Sequence, residues 1–277
     1  LKTKRSYKEF PLTSVGINTH IGEEANKRGI KISFSDPDKT IFIEITSKNT
    51  YLYTRKNNGL GGLPVGSSGR VLVLFSGGID SAVTAYLLMK RGCLVDLLHF
   101  HALQSNNDVM KTKIYRLLGK LKEYNPRIKI FLVPYHQYNL SLLGNIPDKT
   151  DLVMFRHFMF KFGEEIANKY HYKALVTGDN IGQVASQTLD NINASRNGIS
   201  MQVLSPLLTY DKEEIISLAK KIGTYEESIR EYKDCCSIVS RKPSTKVKNA
   251  DIDKFLKTVD INKIINKSME EMEVISI

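Results

Sequence analysis

Six consecutive residues, Ser76-Gly77-Gly78-Ile79-Asp80-Ser81, have the types and spacing to hold a phosphate group. Two adjacent glycines let backbone amides close on a bulky anion, and a helix beginning behind them adds free N–H groups and its dipole. The hydroxyls of Ser76 and Ser81 can donate to phosphate oxygens. Asp80 would repel an anion, and its presence makes chemical sense when a magnesium ion bridges it to the phosphates. No Lys-Ser or Lys-Thr pair closes the turn, so this is not the loop that grips a γ-phosphate. The plain alternative is a ligand-free strand-to-helix turn, where Gly-Gly is common.

Three other stretches carry reactive or ligating groups. In Asp234-Cys235-Cys236-Ser237-Ile238-Val239-Ser240-Arg241-Lys242-Pro243, a cysteine followed by Arg241, Lys242 and Lys246 would have its thiolate stabilised, as sulfur chemistry requires. Adjacent cysteines are poor chelators of one metal, and with only Cys93 besides them four thiolates cannot be assembled; two inert cysteines is the plain reading. His99-Phe100-His101 could begin a metal site, but no third or fourth ligand is in view and a satisfied core histidine is the commoner case. In Gly178 to Leu189, Asp179 or Asn180 could cap a helix whose first turn offers amides to an anion; a tightly packed helix with small residues at 182, 185 and 186 explains the same letters.

The elements that must position these groups alternate. Val71–Phe75 reads as a strand buried on both faces and Ala82–Met89 as the helix behind the glycine turn. Strands at Val95–Phe100, Ile128–Val133 and Ala174–Thr177 alternate with helices at Met110–Leu121, Asp151–Tyr170 and Asp211–Ile222. That alternation predicts an α/β, doubly wound parallel sheet, with ligands at the carboxyl edge of its strands. Residues 1–58 read separately, as a helix over Ser14–Arg28 and strands at Ile30–Phe34, Ile41–Thr46 and Thr50–Arg55. Residues 59–70 are too glycine-rich for a regular element and read as a linker. Residues 251–277 show an amphipathic helical pattern without legible chemistry.

The 277 residues hold 40 Lys and Arg against 29 Asp and Glu, a net charge of +11 that favours a polyanionic partner. Lys2, Lys4, Arg5, Lys8, Arg55 and Lys56 crowd the two ends of the first unit, as one basic patch or as a solvated charged face. Three cysteines make no disulfide framework, and neither a signal peptide nor a long apolar run is present, so a reducing, cytoplasmic compartment and no membrane partner are expected. The first residue is Leu.

SGGIDS resembles the motif of the PP-loop pyrophosphatases, which cleave ATP between its α- and β-phosphates and adenylate a substrate. More of the chain is similar to one branch of that family, the tRNA 4-thiouridine synthetases. The similarity includes KRSYKEFPLTS with the helix and strands after it, the GLGGLPVG linker, TGDNIGQVASQTL, and Asp234–Pro243 as a form of D-x-C-(small)-x-x-(S/T)-x-x-P. Asp179-Asn180 departs mildly from the usual Glu-Ser. The resemblance implies a partial α+β THUMP RNA-binding domain over 1–58 and a PP-loop (adenine nucleotide alpha hydrolase-like) domain over 71–250, with 251–277 as a helical tail. A ferredoxin-like domain and the first part of THUMP are expected before residue 1. No rhodanese-like domain follows in these residues, which leaves the sulfur donor open.

By the same resemblance, ATP contacts fall at Leu74, Phe75, Ser76, Gly77, Gly78, Asp80, Ser81, His99, Phe100, Arg156, Gly178 and Gln187. Asp80 and Cys236 are the implied catalytic residues, Cys235 a helper, and Asp80 the magnesium ligand. Lys4, Arg5, Lys8, Arg55 and Lys56 are the expected tRNA contacts. The implied reaction adenylates a uridine of tRNA, at position eight, and exchanges its O4 for sulfur, with a further sulfur-transfer role in thiamine thiazole synthesis. ATP and Mg²⁺ are the expected cofactors; the C-x-x-C spacing of an iron–sulfur cluster is absent, so no cluster is expected. Expected partners are tRNA and a sulfur donor, a cysteine desulfurase persulfide or free sulfide, with a homodimer as a further expectation. Two rivals remain: a PP-loop enzyme that thiolates another tRNA base or amidates a small molecule, and a non-catalytic RNA-binding protein.

Overall fold

The computed structural model describes residues 1–142, 149–239 and 244–277, with positions 236 and 237 by their backbone alone. The chain divides into two compact units, Leu1–Gly61 and Gly62–Ile277.

In the first unit, β1 (Lys2–Arg5) leads through α1 (Ser14–Lys27) to β2 (Phe42–Ile45) and β3 (Thr50–Tyr53). Thr13 caps α1, its hydroxyl accepting from the Gly16 amide at 3.0 Å. β2 is central, parallel to β1 and antiparallel to β3, and Ile43 and Ile45 pack with Ile17 of α1 as the core. The expected strand at Ile30–Phe34 does not form, and Phe34 is 99% exposed. A strand needs a neighbour's backbone for its ladder, and this segment pairs with none of the three strands of the sheet. The strand that does pair there, Lys-Thr-Lys-Arg, has no apolar alternation and is held by its ladder and by the Thr3 hydroxyl donating to Asn18 at 2.7 Å.

The second unit runs β4 (Arg70–Leu74), α2 (Ile79–Lys90), β5 (Leu94–His101), α3 (Asn106–Val109), α4 (Lys113–Lys122), β6 (Lys129–Pro134), α5 (His136–Leu142), α6 (Asp151–Tyr170) and β7 (Ala174–Val176). It continues with a 3₁₀ turn (Ala185–Gln187), α7 (Leu189–Ser195), β8 (Val203–Leu204), α8 (Lys212–Lys221), α9 (Tyr225–Ser228), α10 (Cys235–Val239), α11 (Asn249–Thr258), α12 (Ile261–Glu271) and β9 (Glu273–Ser276). The sheet order is β8-β7-β4-β5-β6-β9, parallel throughout except for β9.

Because side chains alternate along a strand, each central strand feeds two cores. Leu72, Leu74, Leu98, Phe100 and Phe131 face the aromatic side of α6, where Phe155, Phe158 and Phe162 are buried. Val71, Val73, Val95, Leu97 and Ile130 face α2 and α4. The helix expected over Met110–Leu121 is broken, because the Thr112 hydroxyl caps α4 through the Ile114 amide. The expected helical tail ends as a strand: Glu-Val-Ile-Ser alternates and pairs antiparallel with β6, closing one sheet edge. No helix among the described residues is long and apolar enough to cross a membrane.

Candidate active site

β5 and β6 lie to one side of β4, and β7 and β8 to the other. The chain order therefore reverses between β4 and β7, and the loops leaving their carboxyl ends part and open a crevice. Ser76–Gly78 follow β4 at this point, and Thr177–Gly178 follow β7.

Both glycine positions are dictated by space. Gly77 has φ 78°, and a Cβ there would lie 2.4 Å from Ile114 Cδ1. A Cβ on Gly178 would lie 3.0 Å from the carbonyl carbon of Asp80, so the loop after β7 packs directly on the backbone of the first motif. Gly78 caps α2, its amide donates to Ser76 Oγ at 3.2 Å, and Ser81 Oγ donates to its carbonyl at 3.0 Å.

The crevice is a cavity of about 130 Å³ with an apolar wall that includes Leu98, Phe155 and Phe160. Of the expected ATP contacts, Leu74, Phe75, Ser76, Asp80, Ser81, Phe100, Arg156, Gly178 and Gln187 line it, and so does Cys235. Gly77 and Gly78 shape the loop without lining the cavity. Cys235 is 3% exposed and opens α10. The backbone of Cys236 follows in that helix; its side chain, and residues 240–243 with Arg241, Lys242 and Pro243, lie outside the described residues.

His99 is placed otherwise. It is fully buried and does not line the cavity. Its Nδ1 lies 2.7 Å from the Phe75 carbonyl and its Nε2 2.7 Å from the Tyr232 hydroxyl. A carbonyl only accepts, so Nδ1 carries the proton and Tyr232 donates to Nε2. Burial lowers the His99 pKa to about 4, against the opposing pull of the Phe75 carbonyl. Burial likewise pushes the Tyr232 phenol up. Both ring nitrogens are used internally, which leaves none for a nucleotide.

Two carboxylates organise the charges. Asp80 Oδ1 lies 2.8 Å from Lys212 Nζ, and its Oδ2 accepts from Gln183 Nε2 at 2.8 Å. Asp179, 2% exposed, lies 2.7 Å from Arg156 Nη2 and 2.9 Å from Arg196 Nη2, and accepts from the Thr177 hydroxyl at 2.9 Å. Burial alone would raise the Asp179 pKa; the charges of Arg156 and Arg196 outweigh it and hold the carboxyl below the usual range. The expected helix cap at Asp179 or Asn180 is absent. The Asn180 amide donates to the carbonyls of Leu207 and Tyr210, and Thr188 caps α7 instead, accepting from the Asn191 amide at 3.3 Å.

Lys212, Arg196 and Tyr232 had no signal of their own in sequence, and Gln183 stood within the TGDNIGQVASQTL match with no role given to it. Lys212 opens an ordinary amphipathic helix behind the capping box of Asp211 and Glu214, and only its packing on α2 brings it to Asp80. Among the described residues no group of three or more His, Cys, Asp or Glu could hold a metal ion.

In the first unit the strand register separates the expected tRNA contacts. Lys2 pairs with Phe42 and Arg5 with Ile45, at opposite ends of four-residue strands. Lys56 sits 4.9 Å over the Phe42 ring, at the Lys2 end. Arg5 donates to the Phe10 carbonyl at 2.8 Å, while Lys4 lies 3.6 Å from Glu44.

A doubly wound sheet with SGGIDS at its switch point defines a nucleotide-binding domain of the PP-loop ATP pyrophosphatase type. Residues 66–261 match the family described as Thiamine biosynthesis protein (ThiI), and residues 1–55 match the THUMP domain. The chain belongs to the ThiI family. It is similar to a 4-thiouridine synthetase whose structure was solved as an RNA complex with bound ATP, at 32% identity and a TM-score of 0.88, over 100% of this chain and 73% of that one. A protein of Pyrococcus horikoshii Ot3 shares the fold at 24% identity and a TM-score of 0.56, over 80% of this chain and 64% of that one.

Proposed function

We propose that this chain is an ATP-dependent tRNA sulfurtransferase that converts a uridine, at position eight, to 4-thiouridine. The observation that carries the reading is the meeting of Ser76, Asp80 and Ser81, Gly178 with Gln187, and Cys235 in one cleft at the switch point. Similarity to a 4-thiouridine synthetase in complex with RNA and ATP supports it.

In this reading the loop after β4 binds the ATP phosphates through its amides and serine hydroxyls, and the apolar wall takes the adenine. Lys212 and Arg156 bring positive charge to the cleft and stabilise the departing pyrophosphate. The uridine O4 attacks the α-phosphate and pyrophosphate leaves, which turns O4 into part of a good leaving group. Sulfur, handled by Cys236 with Cys235 beside it, displaces AMP. Asp80 is the carboxylate that would hold Mg²⁺, which neutralises phosphate charge when it enters with ATP. Such ions take one or two carboxylates and otherwise phosphate and water, so a lone Asp80 suffices. Residues 1–58 hold the tRNA through phosphate and shape contacts, with 59–70 as linker. A sulfur-transfer role in thiamine thiazole synthesis is the second activity this reading allows.

The test is nucleoside mass spectrometry of unmodified tRNA incubated with the protein, Mg-ATP and sulfide, beside Asp80→Ala. The expected outcome is 4-thiouridine from the wild type and none from the variant, with mass mapping of RNase fragments placing it at position eight. Pyrophosphate release with a different thiolated base would replace this reading by the other PP-loop enzyme, and RNA binding without pyrophosphate release by the non-catalytic protein.

A further inference from the structure

His99 joins two segments that chemistry would need in sequence. Its Nδ1–H donates to the carbonyl of Phe75, the residue entering the nucleotide loop, and its Nε2 accepts from Tyr232, three residues before α10 and its cysteines. The direction of both bonds is fixed, since Phe75 offers only an acceptor. The segment after Tyr232 forms one side of the cleft through Asp234 and Cys235. It is anchored on the carboxyl edge of β5 by a backbone bridge between His101 and Asp234. On its far side Lys113 donates to the Ser228 carbonyl at 2.7 Å and lies 5.8 Å over the Tyr232 ring.

We infer that His99 is a positioning residue that locks the Tyr232–Cys235 segment against the nucleotide loop, so that the adenylated base is closed off from water until sulfur arrives. The inference rests on the adenylation reading above. With hydrosulfide as the sulfur source, sulfur adds at C4, the C4–O bond breaks with its electron pair leaving on AMP, and the proton on sulfur passes by way of solvent to N3, which gave up its own on adenylation. Water adding at the same carbon expels AMP in the same way and returns uridine, so ATP is spent without product. The wall of Asp234 and Cys235 limits the loose water that reaches C4, so that hydrosulfide, the stronger nucleophile, wins there, and the Tyr232–His99–Phe75 chain holds that wall in register with the loop.

The test measures 4-thiouridine formed per pyrophosphate released, with sulfide as donor, in the wild type, Tyr232→Phe and His99→Asn. Asn keeps a donor for the Phe75 carbonyl and cannot reach Tyr232. The expected result is a ratio near one in the wild type and a fall of about fivefold in both variants, the population shift of one lost hydrogen bond, with pyrophosphate release within about twofold. In the ligand-free protein, alkylation of the buried Cys235 by iodoacetamide, read by peptide mass spectrometry, should quicken by a similar factor. If both rates fall together with an unchanged ratio and unchanged alkylation, His99 is merely structural and the inference is overturned. If the wild type releases no pyrophosphate or makes no thiolated base, the reading itself fails, whatever the alkylation shows.

Discussion

Lys212 and Asp80, 132 residues apart, meet with the ammonium nitrogen 2.8 Å from the carboxylate. α8 brings one and α2 the other, and both groups keep part of their surface in solvent. Such a pair adds less than about 1 kcal/mol to stability, so its effect should be read in chemistry. Asp80→Asn and Lys212→Met should each lower ATP-dependent pyrophosphate release by about 10²–10³-fold while the melting temperature moves by only about 2 °C.

Asp179 should behave in the opposite way. Its carboxylate is buried between two guanidiniums, and Asp179→Ala leaves Arg156 and Arg196 without it. The expected loss is about 3–5 kcal/mol, read as a lower urea midpoint. Arg156→Met with Asp179→Asn should be less than additive, because the two share one network.

Two buried histidines set an acid limit. His99 and His157 both have pKa values lowered from 6.5 to about 4, chiefly by burial. Between those values the unfolded chain binds more protons, so stability rises with pH; it is complete above 6.5 and lost as pH falls toward 4, on the order of 3 kcal/mol for each group. Asp179 adds to the same trend lower down: with a folded pKa below 3.8, its contribution is whole above 3.8 and lost as pH falls through the folded value. Urea unfolding between pH 4 and 7 should show a positive slope that His157→Gln reduces.

Gly77→Ala combines a left-handed backbone with a Cβ 2.4 Å from Ile114. It should cost about 1–3 kcal/mol and raise the ATP concentration needed for half-saturation. Gly178→Ala, at 3.0 Å from the Asp80 backbone, should act in the same direction with a smaller effect, measured by nucleotide titration and thermal unfolding.

RNA affinity should fall steeply with salt, by a slope of about 0.9 in log–log form per phosphate neutralised on a duplex. Lys8→Gln should reduce that slope. Arg5→Gln should cost stability as well, since its guanidinium donates to the Phe10 carbonyl. Filter binding at several salt concentrations separates the two.

Much of the fold was legible because its signals are local. Apolar strands, a glycine turn and a 20-residue amphipathic helix at Asp151–Tyr170 are short-range patterns, and the last stands in the structure with the same ends. Where neighbours decide, the reading departed from the structure. Ile30–Phe34 looks like a strand and pairs with no other, whereas Lys2–Arg5 does not look like one and is held by β2. Glu273–Ser276 ends a helical pattern but meets the open edge of β6.

For the site, sequence alone determined the residue types of the Ser76–Ser81 turn, its glycine pair and the cysteine pair, since these follow from motif spacing, and the structure then put Gly77 in the left-handed region. Only the tertiary structure decided that Lys212 meets Asp80, that Arg196 joins Arg156 on Asp179, and that His99 turns to Tyr232 rather than into the cleft. Each of these is a contact between residues far apart in the chain. Their meeting depends on strand order at the switch point and on helix packing, which no local pattern encodes.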